Sequence, residues 1–201
     1  MPLQNRVDPF GDLFAASARG LLMGNRGGRL HDAQRKLGAR RWTSKQWICC
    51  RLDFNNRHRD VWGDSYTELF FLDEVTALGA GHRPCFECRR QDAELFAALF
   101  AHGKTRARVA TMDEVLHVER LDGRAKRVHL RRIDTLPDGA MIALEGEAFA
   151  VQGTHLLRWT PSGYDRVRPR PRGSQVDVLT PPSIVAVLAR GYRPLWHPSS
   201  G

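Results

Sequence analysis

The sequence predicts an α+β protein: a small mixed α+β half, then a half of short antiparallel strands that ends in a helix. Two observations predict it. Apolar residues recur at strand spacing in two runs before residue 75 and in short runs after residue 140, the latter joined by hairpin-type dipeptides. Around them lie segments of helical periodicity bounded by capping residues and glycines. The change in character falls near residue 105, so the expected units are 1–105 and 106–201, or one compact body made of both. A chain of 201 residues is long enough for either arrangement.

Composition bounds the rest. The apolar fraction of 42% is that of a globular protein, and no apolar run approaches a membrane span. The first residues lack the basic-then-apolar layout of a secretion signal, so the expected location is the cytoplasm. Four cysteines there read as metal ligands or reactive groups before disulfides. The net charge is +9, carried mostly by arginine, which pairs well with phosphate. GC-rich coding also produces arginine, but the charge is unevenly distributed. Residues 1–60 hold 12 cations and 5 anions, whereas residues 61–100 hold 3 and 7. That segregation favours a basic face for a polyanion.

Taken in order, Asp12 is placed to cap a helix through Leu13, Phe14, Leu21 and Leu22, ending near Gly24. A glycine-rich turn, Gly24 to Arg29, follows; it suits a phosphate cradle or a plain connector. Arg35, Lys36, Arg40, Arg41 and Lys45 are interleaved with Trp42 and Trp47, a mixture that suits nucleic acid, although the tryptophans could equally anchor a core. Trp47 to Phe54 reads as a strand. Its alternation sends Ile48, Cys50, Leu52 and Phe54 to one face and Trp47, Cys49 and Arg51 to the other, so only one of the adjacent thiols faces a shared metal. After the basic loop Asn55 to Arg59, residues Tyr66 to Leu72 give a second strand, and Asp73 caps a short helix ended by Gly79 and Gly81.

The most specific stretch comes next, Gly81-His82-Arg83-Pro84-Cys85-Phe86-Glu87-Cys88-Arg89-Arg90. A Cys-x-x-Cys turn brings two sulfurs to tetrahedral spacing around one ion. Arg83, Arg89 and Arg90 around the pair predict a cationic shell that favours thiolate. A helix from Gln91 to Ala101, burying Ala93, Leu95, Phe96, Leu99 and Phe100, places both thiols before a helix N-terminus.

Strand, small-residue helix and Gly-x-Arg-Pro-Cys-x-x-Cys-Arg, in that order over roughly Trp47 to Arg90, resemble the zinc-binding N-terminal domain of the Ada DNA-repair proteins. The resemblance implies Zn2+ on Cys85 and Cys88 and, less directly, on Cys50. It also implies DNA as partner and a zinc-bound cysteine that accepts a methyl group from a phosphotriester. This chain departs from the family pattern upstream: the family's Cys-x-x-x-Cys is replaced by adjacent Cys49 and Cys50, with Asp53 and Phe54 four residues on. The fourth ligand is therefore expected from His58, His82, Cys49 or water, and the acceptor role could fall only on Cys50 or Cys49.

In the second half, Thr111-Met112-Asp113-Glu114 reads as a capping box that starts a helix through Val115, Leu116, Val118 and Leu121. Short strands are expected at 141–144, 148–151, 156–159, 164–167 and 176–179, with Glu145-Gly146 and Gln152-Gly153 as turns. Arg166 to Gly173 reads as an extended surface loop, Pro182 starts a last helix stopped by Gly191, and the tail to His197 is expected to pack back. No catalytic triad, paired carboxylates or nucleotide fingerprint stands out. The expected function is thus a zinc-stabilised nucleic-acid-binding module, with phosphate contacts from Arg40, Arg41, Lys45, Arg57, Arg59, Arg83, Arg89 and Arg90. The alternatives are an alkyl acceptor and a zinc-stapled protein-interaction domain.

Overall fold

The computed structural model describes residues 1–56, 60–102 and 106–201 and has an α+β fold. The first half contributes strands β1 (Arg6–Val7), β2 (Leu13–Phe14), β3 (Leu22–Asn25), β4 (Ile48–Arg51), β5 (Leu69–Phe71) and β6 (Arg83–Pro84), with helices α1 (Glu74–Gly79) and α2 (Arg90–Phe100). The strands form one sheet in the order β2-β1-β5-β3-β4-β6. Its β1–β5 and β4–β6 pairs are parallel and the others antiparallel.

Helix α3 (Val109–Arg120) leads into the hairpin β7 (Leu121–Asp122) and β8 (Ala125–Lys126). Strands β9 (His129–Arg132), β10 (Met141–Leu144), β11 (Glu147–Gln152), β12 (His155–Thr160), β13 (Gly163–Pro169) and β14 (Gln175–Val178) follow, then helix α4 (Pro182–Ala189). They build the expected antiparallel sheet, in the order β13-β12-β11-β10-β14-β9. The cores run across residue 105. Leu78 and Phe96 pack with Met112, Leu116, Ile184 and Leu188, while Leu72 and Val75 pack with Met141, Ala148 and Leu157.

Three expectations fail for tertiary reasons. The helix from Asp12 is absent: Leu13–Phe14 pairs with Arg6–Val7, and Leu22–Asn25 pairs with β4 and β5. Here the Asp8 carboxylate accepts from the Asp12 backbone N–H at 2.9 Å, and the Arg6 Nε donates to the Ala18 carbonyl at 2.6 Å, so long-range pairing overrides local helix propensity. The capping box also fails. Helix α3 starts at Val109, two residues before Thr111, and the Glu114 carboxylate that a box would use is paired with Lys45. Thirdly, the expected loop from Arg166 is strand as far as Pro169, paired along β12.

Smaller differences follow the same logic. The second hairpin turn sits one residue later, at Gly153-Thr154, since Gln152 pairs with His155. Leu95, expected on the buried side of α2, is exposed. The edge strand β9, with mostly exposed arginine-rich positions, offers no apolar alternation to read.

Close backbone approach fixes β3 against β4. A Cβ added at Gly24 would stand 2.0 Å from the Ile48 carbonyl oxygen and 2.8 Å from the Phe71 ring. Gly24→Ala is therefore expected to lower stability by about 1–3 kcal/mol. A denaturant midpoint equal to that of the parent protein would contradict this packing.

Candidate metal centre

Strand periodicity decides which upstream thiol reaches the site. On β4, Cys49 points into the core and is fully buried, while Cys50 points the other way. Parallel pairing with β6 brings the downstream motif alongside: the Arg83 N–H donates to the Trp47 carbonyl, and the Cys85 N–H to the Cys49 carbonyl, at 3.1 and 3.0 Å. Cys85 then opens a turn closed by the Arg89 N–H to the Cys85 carbonyl at 3.0 Å, which returns Cys88 to the same side. The Sγ atoms of Cys50, Cys85 and Cys88 all lie within 4.8 Å of one another. Tetrahedral thiolates about 2.3 Å from zinc stand about 3.8 Å apart, so small side-chain adjustments close the triad on one ion.

The groups that steady a thiolate on Cys85 are first the Cys50 and Cys88 thiols and then backbone amides, rather than the expected cationic shell. The Glu87 N–H donates to Cys85 Sγ and the Arg51 N–H to Cys88 Sγ, each at 3.4 Å. Cys50 and Cys88 also donate to Cys85, which holds its thiol well below the ordinary range, while the Cys85 and Cys88 sulfurs push Cys50 up. The triad thus shares protons around one preferred anion, and a soft metal ion would displace them.

The arginines of the motif point elsewhere. Arg83 is buried in a two-pronged ion pair with Asp113, both contacts at 2.8 Å. Arg89 is buried too, donating to Glu74, Asp92 and Cys49 Sγ at 2.8, 2.9 and 3.2 Å. Neither guanidinium is presented to a polyanion, which corrects their expected phosphate contacts. Arg90 is exposed and paired with Glu94, Lys45 pairs with Glu114, Arg40 is exposed, and Arg41 donates to the Gly38 carbonyl. Arg57, His58 and Arg59 lie outside the described residues.

Two expected fourth ligands stand apart from the triad. Burial pushes the Cys49 thiol up to about 12 despite the pull of Arg89, so it is a core thiol and a poor nucleophile. His82 is fully buried between Trp47 and Phe71, with ring centroids 5.0 and 4.6 Å away, and its Nε2 accepts from Arg26 Nε at 3.3 Å. Burial, with Arg26 and Arg120 nearby, holds it neutral. Among the described residues, no fourth side chain joins the three sulfurs.

Beside the triad lies a cavity of about 300 Å3, lined by Cys50, Cys85 and Cys88 and by Met23, Phe54, Tyr66, Glu68 and Phe70. Glu68 is not among the site residues that the sequence predicts. It is buried, its Oε2 accepts from the Trp62 N–H at 2.8 Å, and its Oε1 has no partner among the described residues. Sequence could have flagged it only by its place in the second strand, where Glu68 immediately precedes the apolar run Leu69 to Leu72.

Comparison with protein-family models, curated proteins and solved structures finds no match. The resemblance to Ada zinc domains accordingly rests on the residues from Trp47 to Arg90. The geometry itself supports a metal site of three cysteines. Among the described residues, no helix is long and apolar enough to cross a membrane.

Proposed function

We propose that this chain is a zinc protein in which Cys50, Cys85 and Cys88 hold the ion, and that the fold so fixed binds nucleic acid, with DNA as the expected partner. The observation that carries the zinc reading is the convergence of three sulfurs within 4.8 Å from two separate segments. An all-sulfur donor set suits zinc among the common biological metals. Zinc there would cross-link β4 to the turn before α2 and supply Lewis-acid charge at the cavity wall. The nucleic-acid reading rests on the net charge of +9 and on Arg40, Arg41 and Trp42, which border one surface hollow together with Arg124.

Two measurements test this reading. Purified protein is expected to carry one zinc per chain. Its retention on duplex DNA should weaken linearly in log–log form with salt, and removing the charges of Arg40 and Arg41 should lower the slope by about 2. Zinc without DNA retention would leave the protein-interaction reading. No zinc would remove the metal centre altogether.

A specific observation keeps the alkyl-acceptor reading alive, and narrows it. Cys50 faces the cavity while Cys49 is sealed in the core, so the role falls on Cys50 alone. In that step the Cys50 thiolate forms an S–C bond to the methyl carbon, the C–O bond breaks, and a phosphodiester anion leaves. Zinc-loaded protein incubated with methyl-phosphotriester DNA would gain one methyl group on the peptide containing Cys50. An unchanged peptide mass would discard the reading.

A further inference from the structure

A second cavity, of about 320 Å3, lies between the turn after β1, the hairpin β7–β8 and the pair Trp42 and Trp47, and no cysteine lines it. Its wall is cationic: Arg26, Arg41, Arg120, Arg124 and Lys126 face Asp12 as the one acidic residue. The guanidinium carbons of Arg26 and Arg120 stack on the Trp47 ring, 3.9 and 4.0 Å from its centroid. Both side chains are only 1% exposed.

These charges lack directly paired counter-ions. Arg26 donates to His82 Nε2 and to the carbonyls of Gly11 and Arg41. Arg120 donates to the carbonyls of Gly81 and Lys45, and Lys126 Nζ to the Gly79 carbonyl. Among the described residues no carboxylate forms an ion pair with any of the three, and Arg120 Nε is buried with no partner at all. Removing one cation from water without a counter-charge costs several kcal/mol on the order-of-magnitude scale for buried ions. Asp8 and Asp12 offset part of that cost at Arg26, through space. Burial and mutual repulsion still lower Arg26 and Arg120 to about 9 and Lys126 to about 7. A bound anion would relieve all three at once.

We propose that this cavity binds the terminal phosphoryl group of a nucleotide or of a nucleic-acid strand end, with Arg41, Arg124 and Lys126 on its wall as donors, the buried Arg26 and Arg120 charges acting through space, and Trp42 stacking on the adjoining base. A dianion matches the clustered cations, and guanidinium donors suit phosphoryl oxygens. Trp42 also borders the neighbouring surface hollow with Arg40 and Arg124, which places an aromatic face beside the mouth. An internal phosphodiester, flanked by sugars on both sides, does not enter the cavity far enough to sit close to the Arg26 and Arg120 charges behind its wall. The site goes beyond the zinc-centre reading. Because it shares no residue with the sulfur triad, loss of metal and loss of anion binding are separately measurable.

The test is a tryptophan-fluorescence titration of the full-length zinc-loaded chain. The probes are inorganic phosphate, adenosine 5′-monophosphate, and one short single-stranded oligonucleotide with and without a 5′-phosphate. A saturable change is expected for the phosphate-bearing probes, with the bare oligonucleotide weaker. Tighter binding of the mononucleotide would identify free nucleotide as the source, and tighter binding of the phosphorylated oligonucleotide a strand end. Replacing Arg120 risks unfolding the Gly81 turn, so Lys126→Met carries the argument. It should weaken phosphate binding about tenfold or more with zinc content unchanged. Arg41→Ala should weaken it as well. No saturable response to any phosphate-bearing probe, equal affinity for both oligonucleotides, or undiminished binding by Lys126→Met would overturn the proposal.

Discussion

Cys85→Ser is expected to leave the protein without its metal and to lower its unfolding free energy by about 4 kcal/mol, if free zinc stands a thousandfold above the dissociation constant. A serine hydroxyl stays protonated at neutral pH and offers no soft anion. The change also removes the sulfur that accepts from Cys50, Cys88 and the Glu87 amide. Cys88→Ser and Cys50→Ser should behave alike, because each removes one of three converging donors. Cys49→Ser should differ: its sulfur faces Arg89 in the core, so about 1 kcal/mol is lost while zinc is kept. Metal analysis of the four variants, with melting curves in zinc and in chelator, checks the set. Chelated parent protein should melt like Cys85→Ser. Full zinc content in Cys85→Ser would show that the metal lies elsewhere.

How far this site is legible in sequence depends on the range of the forces involved. The Cys-x-x-Cys turn is local chemistry, and the strand alternation that separates Cys50 from Cys49 is local geometry, so both can be read from the chain. So can the Asp73 cap, whose Oδ1 accepts from the Thr76 N–H at 2.8 Å, and the hairpins of the second sheet. The expectations that fail depend on partners distant in sequence. Local rules put Thr111 and Glu114 in a capping box, but the helix begins at Val109 and Lys45, far upstream, claims the Glu114 carboxylate. The alanine-rich stretch after Asp12 is helical by composition. Yet Gly20 lies so close to β5 that an added Cβ would stand 1.8 Å from the Phe71 carbonyl oxygen. Arg83 and Arg89 read as surface cations for the same reason: sequence shows a charge but not the carboxylate that meets it. The cationic cavity around Trp47 is half legible. Arginine and tryptophan are interleaved there in sequence, but nothing local shows that Arg120 and Lys126 close it.

Glu74→Ala is expected to be the most disruptive single change outside the cysteines. The Glu74 carboxylate is 1% exposed and receives the Arg89 Nη2 at 2.8 Å, the Tyr192 hydroxyl at 2.7 Å and the Leu195 N–H at 2.9 Å. Alanine would leave a buried guanidinium without its principal counter-charge and strand two further donors. Breaking one side of a buried pair costs about 3–5 kcal/mol. For a domain of this size that is a fall of roughly 10 °C in melting temperature. The effect should reach the metal, because Arg89 follows Cys88 directly and its amide closes the Cys85 turn. Zinc should therefore leave Glu74→Ala faster than the parent protein in a chelator challenge. Tyr192→Phe, which removes one donor and no charge, should cost about 1 kcal/mol and leave the zinc release rate unchanged. Equal release from Glu74→Ala and the parent protein would separate the C-terminal anchor from the metal turn and confine the role of Glu74 to stability.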